Sequence, residues 1–336
     1  MKFGVVGLGF MGSAHLAAWP NVAEAELAAV VSADPKKLAG DLSGISGNLD
    51  RGGGALDFGE AARYSSFEEL LSDPSIEAVD LCTPSYLHAD QAVRALEAGK
   101  HVLVEKPMAL SADECDRMIA AARTAGRVLM VAQVLRFWPD YATARDIVRS
   151  GRIGPARHAF FRRKTGAPMW SAWMDDLSKS GGGAFDLLIH DFDFCQNLFG
   201  VPATVEAEGV EDTDRGVDVV EARLRYPGGP RVCISGGWHH PKEYPFSMEF
   251  TIVCAGGTLD FSSDLRRLTL YLGDGVSEQP ELSPIDGFEA ELSAFAQACR
   301  DGEAPRDCRP EDSAESVRMA LAMRASREQA GRPMAP

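Results

Sequence analysis

Lys2-Phe3-Gly4-Val5-Val6-Gly7-Leu8-Gly9-Phe10-Met11-Gly12 is the stretch that decides the fold of the first part of this 336-residue chain. Residues 3–6 read as a short buried strand, and residues 13–19 as the helix that follows the glycines. Between a strand and a helix, each glycine has its own task. The first makes a tight turn, the second lets a pyrophosphate approach the backbone, and the third lets the helix pack closely. The positive end of the helix then faces the phosphates. Gly7, Gly9 and Gly12, with Phe10 and Met11 between them, are therefore the expected dinucleotide-binding loop.

Outward from this loop, strands are expected at residues 27–31, 78–82, 101–104 and 128–134, with helices at 66–71, 89–98 and 111–124. Such alternation predicts a parallel, doubly wound α/β sheet that binds ligands beyond the carboxyl ends of its strands. Thr83-Pro84-Ser85-Tyr86-Leu87-His88 and Glu105-Lys106-Pro107 fall at two of those ends. The glycine-rich residues 43–54 read as a surface loop. After residue 124 the pattern changes to alternating runs at 156–164, 204–208, 219–226, 231–235, 247–254 and 268–272. These predict a mostly antiparallel sheet, closed by helices at 287–299 and 312–329. The expected division is a Rossmann domain over 1–123 and an α+β domain over 124–336.

A second glycine cluster, Gly181-Gly182-Gly183, opens a helical run that is apolar on most of its circumference. Its polar residues Asp186, His190, Asp193 and Asn197 fall at steps of four, three and four, in one stripe. A carboxylate beside an imidazole can fix the tautomer and basicity of a general acid/base. A solvated face or a satisfied buried polar cluster would show the same spacing. The glycines tolerate unusual backbone angles and the close approach of a ligand or another backbone.

The net charge is −15, with no Lys/Arg-rich run to offset it. This excludes nucleic acid and anionic membrane surfaces as expected partners. The seven cysteines are scattered without CxxC or zinc-type spacing, so no metal is expected and a reduced, cytoplasmic setting is. No signal-peptide core precedes the glycine loop, and no apolar run is long enough to span a bilayer.

The glycine loop, the Thr83 to His88 run, Glu105-Lys106-Pro107 and the Gly181 to His190 stretch occur in an order and at separations that resemble the Gfo/Idh/MocA family of NAD(P)-dependent sugar and polyol oxidoreductases. The resemblance implies a Rossmann domain joined to an open, mostly antiparallel α+β domain, with nicotinamide and substrate in the cleft between them. It implies that Lys106 is the catalytic lysine before a cis proline, Asp186 a substrate-side carboxylate and His190 the general acid/base. Thr83, Pro84, His88, Glu105, Lys106 and Trp173 would contact coenzyme. Arg136 would join Lys106, Asp186 and His190 at the substrate, its alternative being a structural salt bridge. Two departures stand out: Met174 replaces an arginine common beside the tryptophan, and Ala132-Gln133 stand where glycine or histidine is common. Trp238-His239-His240 would either line the cleft or lie on the surface. His15 and His88 read as loop-shaping residues.

The implied reaction moves a hydride between nicotinamide and a secondary hydroxyl, ketone or aldehyde of a sugar, inositol or related polyol. Alternatives within the resemblance are a redox-neutral enzyme with tightly held coenzyme and a non-catalytic dinucleotide-binding regulator. At the end of the second strand, where an acidic residue would bind both ribose hydroxyls, stands Ser32, with Lys37 five residues later. This spacing points to NADP(H), with NAD(H) possible if Asp34 is the ribose ligand instead. A sheet with one face uncovered by helices predicts a homo-oligomer, either dimer or tetramer.

Overall fold

Burial at every position after Lys2 marks β1 (Lys2–Val6) as a central strand. The computed structural model describes all residues except 24, 46, 48–53, 167–170, 172, 213–216, 239 and 242, and no side chains at 184, 211, 212, 217 and 218. His239 and part of the glycine-rich loop therefore lie outside the described residues. The chain divides into two compact units, Met1–Val134 with Gly287–Ala314, and Leu135–Asp286 with Glu315–Pro336.

In the first unit, α1 (Phe10–Ala18), β2 (Glu26–Val31), α2 (Pro35–Leu38), β3 (Asp41–Leu42), β4 (Gly54–Ala55), β5 (Ala62–Tyr64), α3 (Phe67–Ser72), β6 (Ala78–Leu81), α4 (His88–Glu97), β7 (His101–Glu105), α5 (Ala112–Ala125) and β8 (Leu129–Ala132) follow β1. Six strands form one sheet in the order β5-β2-β1-β6-β7-β8, parallel throughout. The strand order reverses at β1, whose neighbours are β2 and β6. A crevice for ligands opens at such a switch point, outside the carboxyl ends. The paired strands β3 and β4 flank the glycine-rich loop. Ser66 caps α3 reciprocally with Glu69, and Ser111 caps α5, which fixes where both helices start.

The second unit contains α6 (Pro139–Arg149), β9 (Ala156–Lys164), α7 (Leu177–Ser180), α8 (Gly183–Phe199), β10 (Thr204–Asp212), β11 (Val217–Arg225), β12 (Arg231–Gly237), β13 (Ser247–Cys254), β14 (Gly257–Ser262), β15 (Arg266–Leu272) and β16 (Ser277–Glu278). Their eight-stranded sheet runs β10-β11-β12-β9-β13-β14-β15-β16. It is antiparallel except where β12 lies parallel to β9, pairing Arg231 with His158 through Gly237 with Lys164. The mostly antiparallel expectation holds, and the one parallel pair arises because α7, α8, β10 and β11 intervene between β9 and β12. Helix α8 packs on β12, β11 and β9. Between helix and sheet, Tyr141 meets Phe194 and Phe250 edge-on at 4.8 and 5.0 Å, a favoured geometry for buried rings.

The two closing helices are α9 (Gly287–Asp301) and α10 (Pro310–Glu328). The division differs from the sequence expectation of 1–123 and 124–336 in two ways. β8 still belongs to the parallel sheet, so the first unit runs on to Val134. Gly287–Ala314 also return to that unit: α9 packs on α1, and the Cys308 thiol lies 3.4 Å from the Val131 carbonyl oxygen. The apolar outer face of α1 needs this cover, which residues distant in sequence supply. No helix among the described residues is long and apolar enough to cross a membrane.

Candidate active site

The glycine loop divides its labour among three positions. Gly7 has φ +93°, and a Cβ there would meet the Cys82 carbonyl oxygen at 2.7 Å. A Cβ on Gly12 would lie 2.0 Å from the Gly7 carbonyl oxygen, so only glycine lets α1 approach the turn. At Gly9 a Cβ would meet nothing within 4 Å, which leaves the backbone face open. Gly9 is also the N-cap of α1 and supplies no side chain to the helix amides. An open backbone before uncapped helix amides suits a pyrophosphate. Phe10 and Met11 are half-buried beside it.

Beyond β2, the Ser32 hydroxyl accepts the Asp34 N–H at 3.1 Å. The Asp34 carboxylate accepts the Lys36 N–H at 2.9 Å, making Asp34 the N-cap of α2. Lys37 is half-buried on that helix.

At the ends of β6 and β7, two turns are tied together. The Thr83 hydroxyl donates to Gln91 Oε1 at 2.6 Å. The ring nitrogens of His88 stand 2.8 Å from the carbonyl oxygens of Thr83 and Pro107, so the histidine braces the Thr83-Pro84 turn against the end of β7. Burial pushes the His88 imidazole below its usual range, with the two carbonyls pulling the other way. The Lys106-Pro107 peptide is cis, as the resemblance implied. The Lys106 N–H donates to Glu105 Oε2 at 2.9 Å, and the Lys106 side chain is half-buried.

Beneath this turn lies a buried ionic cluster that the sequence reading did not single out. His15 Nδ1 is 3.0 Å from Asp80 Oδ2, and its Nε2 is 3.2 Å from Glu105 Oε1. The latter contact is one of charge, since Nε2 makes no aligned hydrogen bond. The Trp19 indole N–H donates to Asp80 Oδ2 at 2.9 Å, and the Cys82 thiol donates to Asp80 Oδ1 at 3.4 Å. Burial works against a charged His15, but Asp80 and then Cys82 outweigh it and hold the imidazole well above its usual 6.5. His15, Asp80 and Cys82 have donor atoms close enough to hold a metal ion. Their mutual hydrogen bonds account for that closeness. The overlooked signal was Asp80 itself, an acid inside the fully buried strand β6, where only a partner makes a charge tolerable.

In the second unit, the triple glycine turns the chain from α7 into α8. Gly181 and Gly182 have φ of +76° and +87°, angles that other residues adopt at a cost. A Cβ on Gly183 would stand 2.7 Å from the Trp238 ring. Trp238 is buried with Met174 and Leu187, and Trp173 and Phe246 pack against this cluster. The surface alternative for Trp238 is therefore wrong, and the departure at Met174 has an apolar environment that suits it. Trp173 is half-buried at the cluster's edge.

Asp186 and His190 occupy successive turns of α8, the first buried to 7% exposure and the second half-buried. The stripe they begin changes character below them. Arg136 donates to both oxygens of Asp193, through Nε at 2.8 Å and Nη2 at 2.6 Å. Ser316 adds a third hydrogen bond to Asp193 at 2.9 Å. The Arg136 side chain has no solvent exposure. This corrects Arg136 as a substrate contact: its guanidinium is committed to Asp193, and the structural salt bridge is the reading that fits. A second such pair was missed altogether. Arg163 on β9 donates to both oxygens of Asp191, at 2.8 and 3.1 Å. Burial opposes the Arg163 charge, yet Asp191 beside it keeps the guanidinium above its ordinary range. The two bidentate pairs fix the rotation of α8 about its axis, and with it the direction of Asp186 and His190.

Residues 1–133 match an oxidoreductase family with an NAD-binding Rossmann fold, and residues 141–260 match the GFO/IDH/MocA C-terminal domain. D-xylose 1-dehydrogenase (NADP(+)) 2 of Haloferax volcanii is 30% identical over 322 residues, 93% of each chain. The NAD(+)-named scyllo-inositol 2-dehydrogenase of Bacillus subtilis is 31% identical over 255 residues, 70% of this chain and 71% of its own. Among solved structures, aldose-aldose oxidoreductase from Caulobacter crescentus, complexed with glycerol, superposes with TM-score 0.84 at 24% identity, covering 100% of this chain and 99% of its own. With both domain profiles matched in sequence order and a relative of this identity along nearly its whole length, the chain belongs to the Gfo/Idh/MocA oxidoreductase family.

Proposed function

We propose that this chain is an NAD(P)-dependent dehydrogenase or reductase acting on a secondary hydroxyl, ketone or aldehyde of a sugar, inositol or related polyol. The observation that carries the reading is at the carboxyl ends of the parallel sheet. There the open backbone at Gly9 and the braced Glu105-Lys106-Pro107 turn both follow strands of the parallel sheet at the ends where such sheets bind ligands. Nicotinamide, when bound, accepts or gives the hydride. Lys106 lowers the cost of alkoxide character on the substrate oxygen. His190 takes the hydroxyl proton in oxidation and returns it in reduction, and Asp186 orients a substrate hydroxyl and the imidazole.

Lys106→Ala and His190→Ala should each lower turnover by about a hundredfold or more. Coenzyme binding should survive His190→Ala. Assays of the purified protein on polyols and keto-sugars, followed by reduced-nicotinamide absorbance, check this. Near-normal turnover of His190→Ala across neutral pH would remove it from the acid/base role. Net coenzyme reduction separates this reading from a redox-neutral enzyme with tightly held coenzyme.

For the coenzyme we propose NADP(H) preference, with NAD(H) as the weaker partner. Asp34 is engaged as the cap of α2, whereas Ser32 keeps its hydroxyl proton to donate and Lys37 lies in the first turn of that helix. Lys37→Ala should weaken NADP(H) binding by about 1–3 kcal/mol, the range for a hydrogen bond to a charged group, and leave NAD(H) almost unchanged. Calorimetric titration of both coenzymes decides it, and tighter NAD(H) binding by the wild type would refute it. The reading is completed by a cytoplasmic homo-oligomer that buries the sheet face opposite α8.

A further inference from the structure

We infer that His15 is a positioning residue for Lys106: from α1 it holds the Glu105 carboxylate, which in turn receives the Lys106 backbone N–H. The inference rests on the proposed role of Lys106. The chain of contacts is short and buried. His15 and Asp80 have no exposure and Glu105 has 5%. Nε2 lies 3.2 Å from Glu105 Oε1, while the other oxygen of that carboxylate takes the Lys106 N–H at 2.9 Å. The carboxylate thus faces histidine with one oxygen and the lysine backbone with the other.

Stability alone does not account for such a cluster. Charges withdrawn from water are costly even when paired, and apolar side chains of similar size often serve a core as well or better. Here an acid from β6, a base from α1 and an acid from β7 are aligned toward a single turn. An imidazole is suited to that task, because its two nitrogens point away from each other and bridge carboxylates on neighbouring strands. His88 braces the same turn from the other side, through Pro107. Lys106 therefore sits between two histidines, each acting on a residue adjacent to it in the chain.

The groups that bear on this site come from every element around it. Asp80 and Cys82 come from β6 and its end, and Glu105 from β7. His88 comes from α4 and senses the charges of both Glu105 and Lys106. Helix α9 brings the Phe288 ring within 5.8 Å of the His15 ring and carries the buried carboxylate of Glu291. Removing the imidazole takes away a positive charge and releases Glu105 toward the lysine. Both changes favour the ammonium form of Lys106.

Competitive acetylation with acetic anhydride across a pH series, read at Lys106 by mass spectrometry, measures the titration of this amine without any substrate. The full-length protein is compared with His15→Gln, Glu105→Gln and Trp19→Phe, with thermal melting of each. His15→Gln should raise the Lys106 midpoint by about half a unit or more, and Glu105→Gln should lower it, because the first removes a cation and the second an anion. Trp19→Phe deletes a hydrogen bond to Asp80 in the same cluster and should lower the melting temperature without moving the midpoint. With a turned-over substrate, His15→Gln should cut kcat by about tenfold with coenzyme affinity kept within about threefold. An unchanged Lys106 midpoint in folded His15→Gln overturns the inference. If that variant does not fold, an unchanged midpoint in Glu105→Gln overturns it instead. A shifted midpoint with unchanged kcat would uphold the His15 contact and count against the proposed function of Lys106.

Discussion

Two glycine clusters, Gly7, Gly9 and Gly12 in the first unit and Gly181, Gly182 and Gly183 in the second, use the same residue for different ends. In the first, Gly7 and Gly12 are required by neighbouring backbone, and Gly9 faces open space. In the second, Gly181 and Gly182 are required by their backbone angles, and Gly183 is pressed against the Trp238 ring. A glycine signal therefore reports that something comes close, without saying whether it is a ligand or the protein itself. The first cluster has room that the fold does not fill. The second is filled by its own unit, so the chemistry there must come from the side chains that follow it on α8.

If the second cluster is architecture, the stability of its unit should depend on what anchors α8, and there the largest effect is expected. Asp193→Ala leaves the Arg136 guanidinium buried without its bidentate partner. Breaking such a pair costs about 3–5 kcal/mol. Urea denaturation of the variant checks the magnitude, and its turnover should fall in step with the misplaced helix. Replacing both partners, with Arg136→Met and Asp193→Leu together, should recover much of the lost stability, because no lone charge remains. A loss under 1 kcal/mol in the single variant would mean that the Arg136 pair does not anchor α8.

The glycines themselves sharpen the contrast at a smaller scale. Gly183→Ala places a methyl group 2.7 Å from the Trp238 ring and should destabilise the fold by about 1–3 kcal/mol, the usual range for overpacking. It should leave coenzyme affinity nearly unchanged. Gly9→Ala should do the reverse, melting as the wild type does while binding coenzyme more weakly, because its new methyl group occupies the open space. Melting curves with and without coenzyme distinguish the two. Equal behaviour of the variants would erase the distinction between the clusters.

The same contrast explains what was legible in the sequence. Periodicity located five of the six parallel strands, whose inner members are buried on both faces, as in β6 and β7, and missed the short, partly exposed β5; the glycine loop marked the switch point at β1. The strand β14 was not among the expected runs, although the segment pairs on both sides. The spacing of Asp186, His190, Asp193 and Asn197 correctly predicted a shared helix face. It could not show that Arg136 would claim Asp193, because that contact joins residues 57 apart. Partnerships of buried charge depend on which elements the topology brings together, and Asp80, Asp191 and Arg163 were hidden for that reason. The return of Gly287–Ala314 to the first unit was hidden likewise, since an amphipathic helix records that it has a partner and not which one.

The smallest expected effect concerns two of the three histidines of the first unit, His88 and His15, which should respond to pH in opposite directions. Burial depresses His88 below 6.5, so as pH falls through about 6.5 the unfolded chain takes up a proton that the folded chain refuses. Stability is then lost on the acid side, by at most about 1.4 kcal/mol per pH unit for one proton, until the depressed value is reached. His101 adds to the same slope: burial and then Arg127 lower it, and its Nδ1 accepts the Val128 N–H at 3.0 Å, which requires an unprotonated nitrogen. His15 runs the other way. Its raised value means that its stabilisation is complete below 6.5 and disappears as pH rises through the folded value. Other carboxylates titrate on the acid side as well, so the measurement is a difference between proteins. Urea denaturation of wild type and His88→Asn from neutral pH downward should show the variant losing stability less steeply below about 6.5, with parallel curves above it. Identical slopes would mean that His88 takes up its proton in the folded protein, as the two carbonyl oxygens at its ring nitrogens favour, and that burial is the weaker influence.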